Sequence, residues 1–109
     1  MSASVPVRPA ATVLVLRDVP VLGNTRGASA LEVLLVQRAS ELAFHGGAWV
    51  FPGGGVDAVD ASAADELMAA RRAAVREAQE EAGLTLTLDE LVPFSHWTTP
   101  VDRSRRFAT

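Results

Sequence analysis

The chain contains no cysteine and no lysine. Without cysteine it can form no disulfide, hold no metal through thiolates and use no thiol nucleophile, a composition compatible with a cytoplasmic protein. Apart from two histidines its cations are all arginine, and ten of them against thirteen acidic residues leave a net charge of -3 and a pI near 5.3. No basic field is therefore available for a long nucleic acid. Long apolar runs are missing too. The run 13–16, between Arg8 and Arg17, is far short of the roughly 18 residues of a membrane span and lacks the layout of a signal peptide. At 109 residues, 49% hydrophobic and 21% charged, the composition suits one small globular domain, without internal repeats or low-complexity tracts.

Residues 1–9 are polar and broken by proline, and read as a flexible terminus. Residues 11–17 and 31–38 are rich in aliphatic and β-branched side chains and read as two buried strands, paired as neighbours across a turn or loop at 18–30. Residues 39–48 are irregular, and residues 49–51 form a short strand that stops at Pro52 and the glycines. A long alanine-rich run predicts a helix over about 62–82, ended by Gly83 in a left-handed cap. Residues 84–88, Leu-Thr-Leu-Thr-Leu, have the period-2 pattern of a half-buried strand. Two further strands, 94–98 and 105–109, are joined by a turn at 100–104. Strands on both sides of one helix imply an α+β or α/β/α sandwich.

The chemistry concentrates in residues 76–84, Arg-Glu-Ala-Gln-Glu-Glu-Ala-Gly-Leu. On a helix Glu77, Glu80 and Glu81 stand at i, i+3 and i+4, so the three carboxylates crowd one face. Like charges at that spacing cost about 0.2–0.5 kcal/mol per pair unless a cation sits among them. Arg76 relieves part of this by reaching Glu80. What remains suits a hard divalent cation with oxygen ligands. Upstream, the glycines 53–55 form a loop that can bring backbone groups close to an ion or a phosphate.

Together these segments resemble the Nudix box, the loop–helix signature of the Nudix hydrolases: Gly, five residues, Glu, seven residues, Arg-Glu-aliphatic-x-Glu-Glu-x-Gly-aliphatic. Arg76, Glu77, Ala78, Glu80, Glu81, Gly83 and Leu84 match the second half. Gly54 and Asp60 match the first, with Asp in place of the usual Glu. Fifteen residues, 61–75, then separate Asp60 from Arg76 where the pattern has seven, so the box carries an eight-residue insertion, and position alone assigns Asp60 no role. Longer boxes of this kind occur in a branch that includes coenzyme A diphosphatases.

The resemblance implies a mixed sheet between helices and metal-dependent cleavage of a diphosphate linkage in a nucleoside diphosphate derivative. It implies Mg²⁺ or Mn²⁺ held by Glu77, Glu80 and Glu81, with a carbonyl of Gly53 or Gly54. Either Glu77 or Glu80 is the base, and Arg76 orients a glutamate. A small nucleotide-type molecule is the expected partner, with no long nucleic acid and no membrane; self-association as a homodimer is left open. The branch of coenzyme A diphosphatases has a further upstream pattern, with which Leu34, Leu35, Arg38, Gly47, Phe51, Pro52, Gly53 and Gly54 fall in register. Val36, Ala39 and Ala43 depart from it. Arg38 is a candidate for substrate phosphate. Trp49 and Phe51 read as core, although a nucleobase could stack on Trp49 if it faced outwards. His45, His96 and the pair Arg105 and Arg106 read as surface. Nudix domains usually run longer than this chain, so the sequence suggests a single domain, 1–109, cut short at its C-terminus. The alternative to an enzyme is a Nudix-fold binding or regulatory module without turnover.

Overall fold

Two helices follow one another midway along the chain, α1 (Ala58–Ala61) and α2 (Glu66–Ala82). The structure, a computed structural model, describes residues 5–21, 23, 29–39, 46–62 and 65–109. Helix α2 begins where the Asp65 side chain accepts a hydrogen bond of 2.7 Å from the Met68 N–H, satisfying a donor that has no partner within the helix. It stops at Gly83, whose φ of 68° is left-handed and open to glycine without steric cost. The Gly83 N–H returns to the Gln79 carbonyl and the Leu84 N–H to that of Ala78. The expected helix is present. Residues 58–61, where no helix was expected, add a separate turn.

Three strands form a mixed sheet in the order β6-β1-β7. The central strand β1 (Val7–Thr12) runs antiparallel to β6 (Gly53–Gly55) and parallel to β7 (Arg106–Ala108). Strands β2 (Leu16–Pro20) and β3 (Ser29–Val33) make an antiparallel hairpin with Leu16 opposite Val33 and Pro20 opposite Ser29. Strands β4 (Val36–Gln37) and β5 (Trp49–Val50) make a short ribbon. One face of α2, with Ala69, Ala73, Ala74 and Ala78 buried, packs over β1 and β6. Ala11, Ala73 and Ala74 centre the core, and Val13, Val56, Ala70 and Leu91 close around it. Small side chains on the helix face bring its backbone close to the sheet, which sets the distance between the acidic residues and β6.

Several boundaries differ from expectation. The strand expected at 11–17 is two strands, broken at 13–15, and that at 31–38 is broken at 34–35. A Leu34 N–H to Val15 carbonyl bond of 3.0 Å joins the two breaks, where the chain passes from one sheet to the next. Strand β1 starts at Val7, inside the stretch expected to be loose, because β7 pairs with Val7, Arg8 and Pro9. Residues 18–20 and 29–30, expected in a loop, extend the hairpin. The glycines 53–55 are a strand rather than a loop. A Cβ on Gly53 would run into the Ala11 carbonyl oxygen and lie 2.8 Å from the Thr12 Cα, so glycine is what lets β6 lie along β1. Residues 84–88 alternate between half-buried and exposed up to Thr87, as the pattern implied, but are not paired as a strand and run into a 3-10 turn (Leu88–Glu90). The expected C-terminal hairpin is present in shortened form. Trp97 and Thr109 exchange two 2.8 Å backbone bonds and Thr98 bridges Ala108.

Candidate active site

Arg76 projects from the middle of α2 into a cage of oxygen atoms. Its Nε donates to both Asp60 carboxylate oxygens at 3.2 and 3.3 Å. Its Nη2 donates to Asp60 Oδ2 at 2.9 Å and to the Gly55 carbonyl at 3.0 Å. Its Nη1 donates to Glu77 Oε1 at 3.0 Å and to Glu80 Oε2 at 3.2 Å. Asp57 adds a fourth carboxylate at 3.4 Å. A guanidinium is a rigid planar fork, so this one group fixes α1, β6 and the acidic face of α2 relative to one another. The Arg76–Glu80 bond was expected. The rest of the cage makes Arg76 far more than a surface bridge, and its side chain is only 21% exposed.

Asp60 is the residue for which sequence alone gave no role. It is 4% exposed, and besides Arg76 it accepts 2.8 Å from the Asp57 N–H at the start of α1. The side-chain hydrogen bond from Arg76 holds its carboxyl below the ordinary carboxylate value; burial opposes this, and the Asp57 amide and the Arg72 charge assist. The same pair, against the cost of burial, raises the pKa of Arg76 further above its usual value. Each group thus favours the charged form of the other. The eight-residue insertion leaves this contact intact because α1 turns the chain back towards α2. The sequence does carry a sign of α1: Asp57-x-x-Asp60 is an N-terminal capping pattern.

Glu77 and Glu81 face the glycine strand. The Glu77 carboxyl lies against Gly54, where a Cβ would stand 2.6 Å from its Oε1; the absence of a side chain there makes room for the carboxylate. The Glu81 carboxyl is pushed up to about 7. Burial is the main cause, followed by the hydrogen bond and the charge of the neighbouring Glu77, while the Gly53 N–H and Arg38 pull the other way. Two carboxyls that close repel one another unless a proton or a cation stands between them. Glu80 points elsewhere. Its carboxylate goes to Arg76 and its side chain is 58% exposed. Accordingly, among the described residues no three acidic or histidine side chains converge on one point, and the three-glutamate cluster expected from the spacing is a Glu77–Glu81 pair with Glu80 beside it.

Arg38 follows β4 and bonds to Ala48 and Gly47 through its backbone, on the Glu81 side of the ribbon. Trp49 pairs with Gln37, and successive residues alternate between faces, so Trp49 lies on the face opposite Arg38. Its 63% exposure, and the 37% of Phe51, overturn the expectation of core packing, because no layer of the described structure covers that face of the ribbon. His96 is exposed. His45 and Ala43 lie outside the described residues. Arg106 is not a plain surface cation, since it donates to the Thr99 and Val5 carbonyls at 3.2 Å each.

The NUDIX domain family model matches residues 8–108. The chain belongs to the Nudix family. A crystal structure of a NUDIX hydrolase from Alicyclobacillus acidocaldarius superimposes with a TM-score of 0.67 at 23% identity, over 97% of this chain and 68% of that one, a likeness of fold. No curated protein matches the chain. Membership makes the chain a Nudix hydrolase, of a family whose members hydrolyse nucleoside diphosphate derivatives and use divalent metal ions. No helix of the described structure is long and apolar enough to cross a membrane.

Proposed function

We propose that this Nudix domain cleaves the diphosphate linkage of a nucleoside diphosphate derivative, using Mg²⁺ or Mn²⁺ held by Glu77 and Glu81 with a carbonyl of Gly53 or Gly54, and by Glu80 once its carboxylate turns in from Arg76. The observation that carries this reading is the acidic face of α2, where the Arg76 cage fixes Glu77, and Glu77 and Glu81 form a close pair of carboxyls against a strand stripped of side chains. The donor set is all oxygen, which suits hard divalent cations. A bound ion neutralises phosphate charge and lowers the pKa of its water. The chain's own residues do the rest. Glu77 or Glu80 accepts the proton of the attacking water, Arg76 keeps both carboxylates in place, and Arg38 receives a substrate phosphate beside Glu81. Coenzyme A derivatives belong among the substrates to be tried, on the strength of the partial upstream pattern around Arg38.

Phosphate release from a set of nucleotide conjugates and coenzyme A, with and without Mg²⁺, tests the proposal. Metal-dependent release is expected, and Glu80→Gln, which keeps shape and removes charge, is expected to lower kcat by about 10²-fold or more. Undiminished turnover by that variant would refute a metal or base role for Glu80. Binding of a conjugate without release would mark a binding module instead.

A further inference from the structure

We propose that Arg72 is a positioning residue: it clasps the C-terminal end of α1, keeps Asp60 against Arg76 across the eight extra residues of this box, and so sets the orientation of Arg76 towards Glu77, Glu80 and Gly55. The inference rests on the site assignment above but concerns a residue outside the box motif.

Helix α1 is a single turn of four residues. A helix this short is not stable by its own hydrogen bonds, and its last carbonyls have no partners within it. It also carries no basic residue in its last turn to complement the dipole. Arg72 supplies both needs from α2. Its Nη1 donates 2.7 Å to the Ser62 carbonyl and lies 3.4 Å from that of Asp60. Arg72 and Arg76 are four residues apart, on one face of α2. One therefore grips the backbone end of α1 while the other grips the Asp60 side chain. Only the second contact belongs to the box. The first is the device that a longer connection requires, because extra residues between Asp60 and α2 add freedom that would otherwise let α1 swing away. Arg72 also acts on Asp60 directly, since its charge helps to hold that carboxyl ionised.

The test is made on metal-free protein, so that it does not depend on turnover. Arg72→Met keeps the aliphatic stem and removes the donors; Arg72→Lys keeps the charge and one donor. Two quantities are read by NMR: the titration of the Asp60 carboxyl and the hydrogen exchange of the Arg76 Nε–H. In Arg72→Met the Asp60 carboxyl is expected to rise towards its ordinary 3.8, and Arg76 exchange to quicken about tenfold. Arg72→Lys is expected to restore most of both. If Arg72→Met does not fold, Arg72→Gln, too short to reach Ser62, is read in the same way. A lower Tm with both readouts unchanged would show that Arg72 merely packs, and would overturn the proposal. A failed hydrolysis assay would leave these readouts untouched, so the two ideas fall separately.

Discussion

Asp60 decides whether the acidic face has a fixed partner, and its environment makes its chemistry predictable. Removing one member of a buried ion pair leaves the other uncompensated, so Asp60→Asn is expected to cost about 3 kcal/mol in chemical denaturation, the low end for such pairs because Arg76 keeps some access to water. Asp60→Glu restores the acid usual in the family, yet it is expected to destabilise by about 1 kcal/mol, because an extra methylene must enter a buried site shaped by the short helix α1. A gain in stability would show that the cage has slack. The pH dependence follows from the sign of the shift. The folded carboxyl is held below its ordinary 3.8, so its contribution is complete above that value and is lost as pH falls through the lower folded value. A Tm profile from pH 6 to 2 should therefore fall less steeply in Asp60→Asn. The residue type was visible in the sequence, as was its match to the first acid of the box. Its partner was not, because fifteen intervening residues hide which turn of α2 it meets.

Among the elements, the body and C-terminal end of α2 were legible because their signals are local, an alanine-rich run and Gly83 where the helix must stop, whereas its first residue is Glu66 rather than 62. The strands were legible as apolar stretches but not as partners. Pairing is decided by distant segments, so residues 84–87 kept the predicted alternation without a ladder, and the breaks at 13–15 and 34–35 reflect where sheets part company. Strand β6 was hidden for a different reason, since glycine carries no strand propensity and is tolerated there only because β1 lies so near. That difference predicts contrasting effects for neighbouring substitutions. Gly53→Ala places a Cβ against backbone of β1, which cannot turn aside; it should destabilise by more than about 1 kcal/mol, in the range of overpacked sites. Gly54→Ala meets the Glu77 carboxylate instead, and a side chain can rotate away. Its stability should stay within about 1 kcal/mol of the parent, while the Tm shift produced by Mg²⁺ is lost. Denaturation and metal titration of both variants check this, and equal stability loss in the two would contradict the strand-and-ligand reading.

At the scale of the whole molecule, the core of the described residues is built mostly from alanine, and their largest fully buried side chain is Pro52. Val92, Phe94, Trp97 and Val101 remain 74–80% exposed. Hydrophobic stabilisation scales with the apolar area removed from water, so each of these small side chains contributes little. The box motif pointed to Arg76 and a glutamate but not to Asp60 or Gly55 as its partners, and the small side chains of the core were not legible either, since apolar composition does not say which side chains end up covered. An ion bound in the proposed site is expected to add measurably to stability. At a free Mg²⁺ concentration 100 times its Kd, a site present only in the folded state adds about 2.7 kcal/mol, and thermal melts should show a clear rise in Tm. Glu81→Gln separates the two roles of the acidic pair. It removes a like charge beside Glu77 while keeping a group able to hydrogen bond, so at neutral pH the metal-free variant should melt at or above the parent temperature. In the proposed site the same variant removes a ligand, so its response to Mg²⁺ should shrink or vanish. A variant that is less stable without metal, yet responds fully to it, would mean that Glu81 packs against the sheet rather than waiting for a cation.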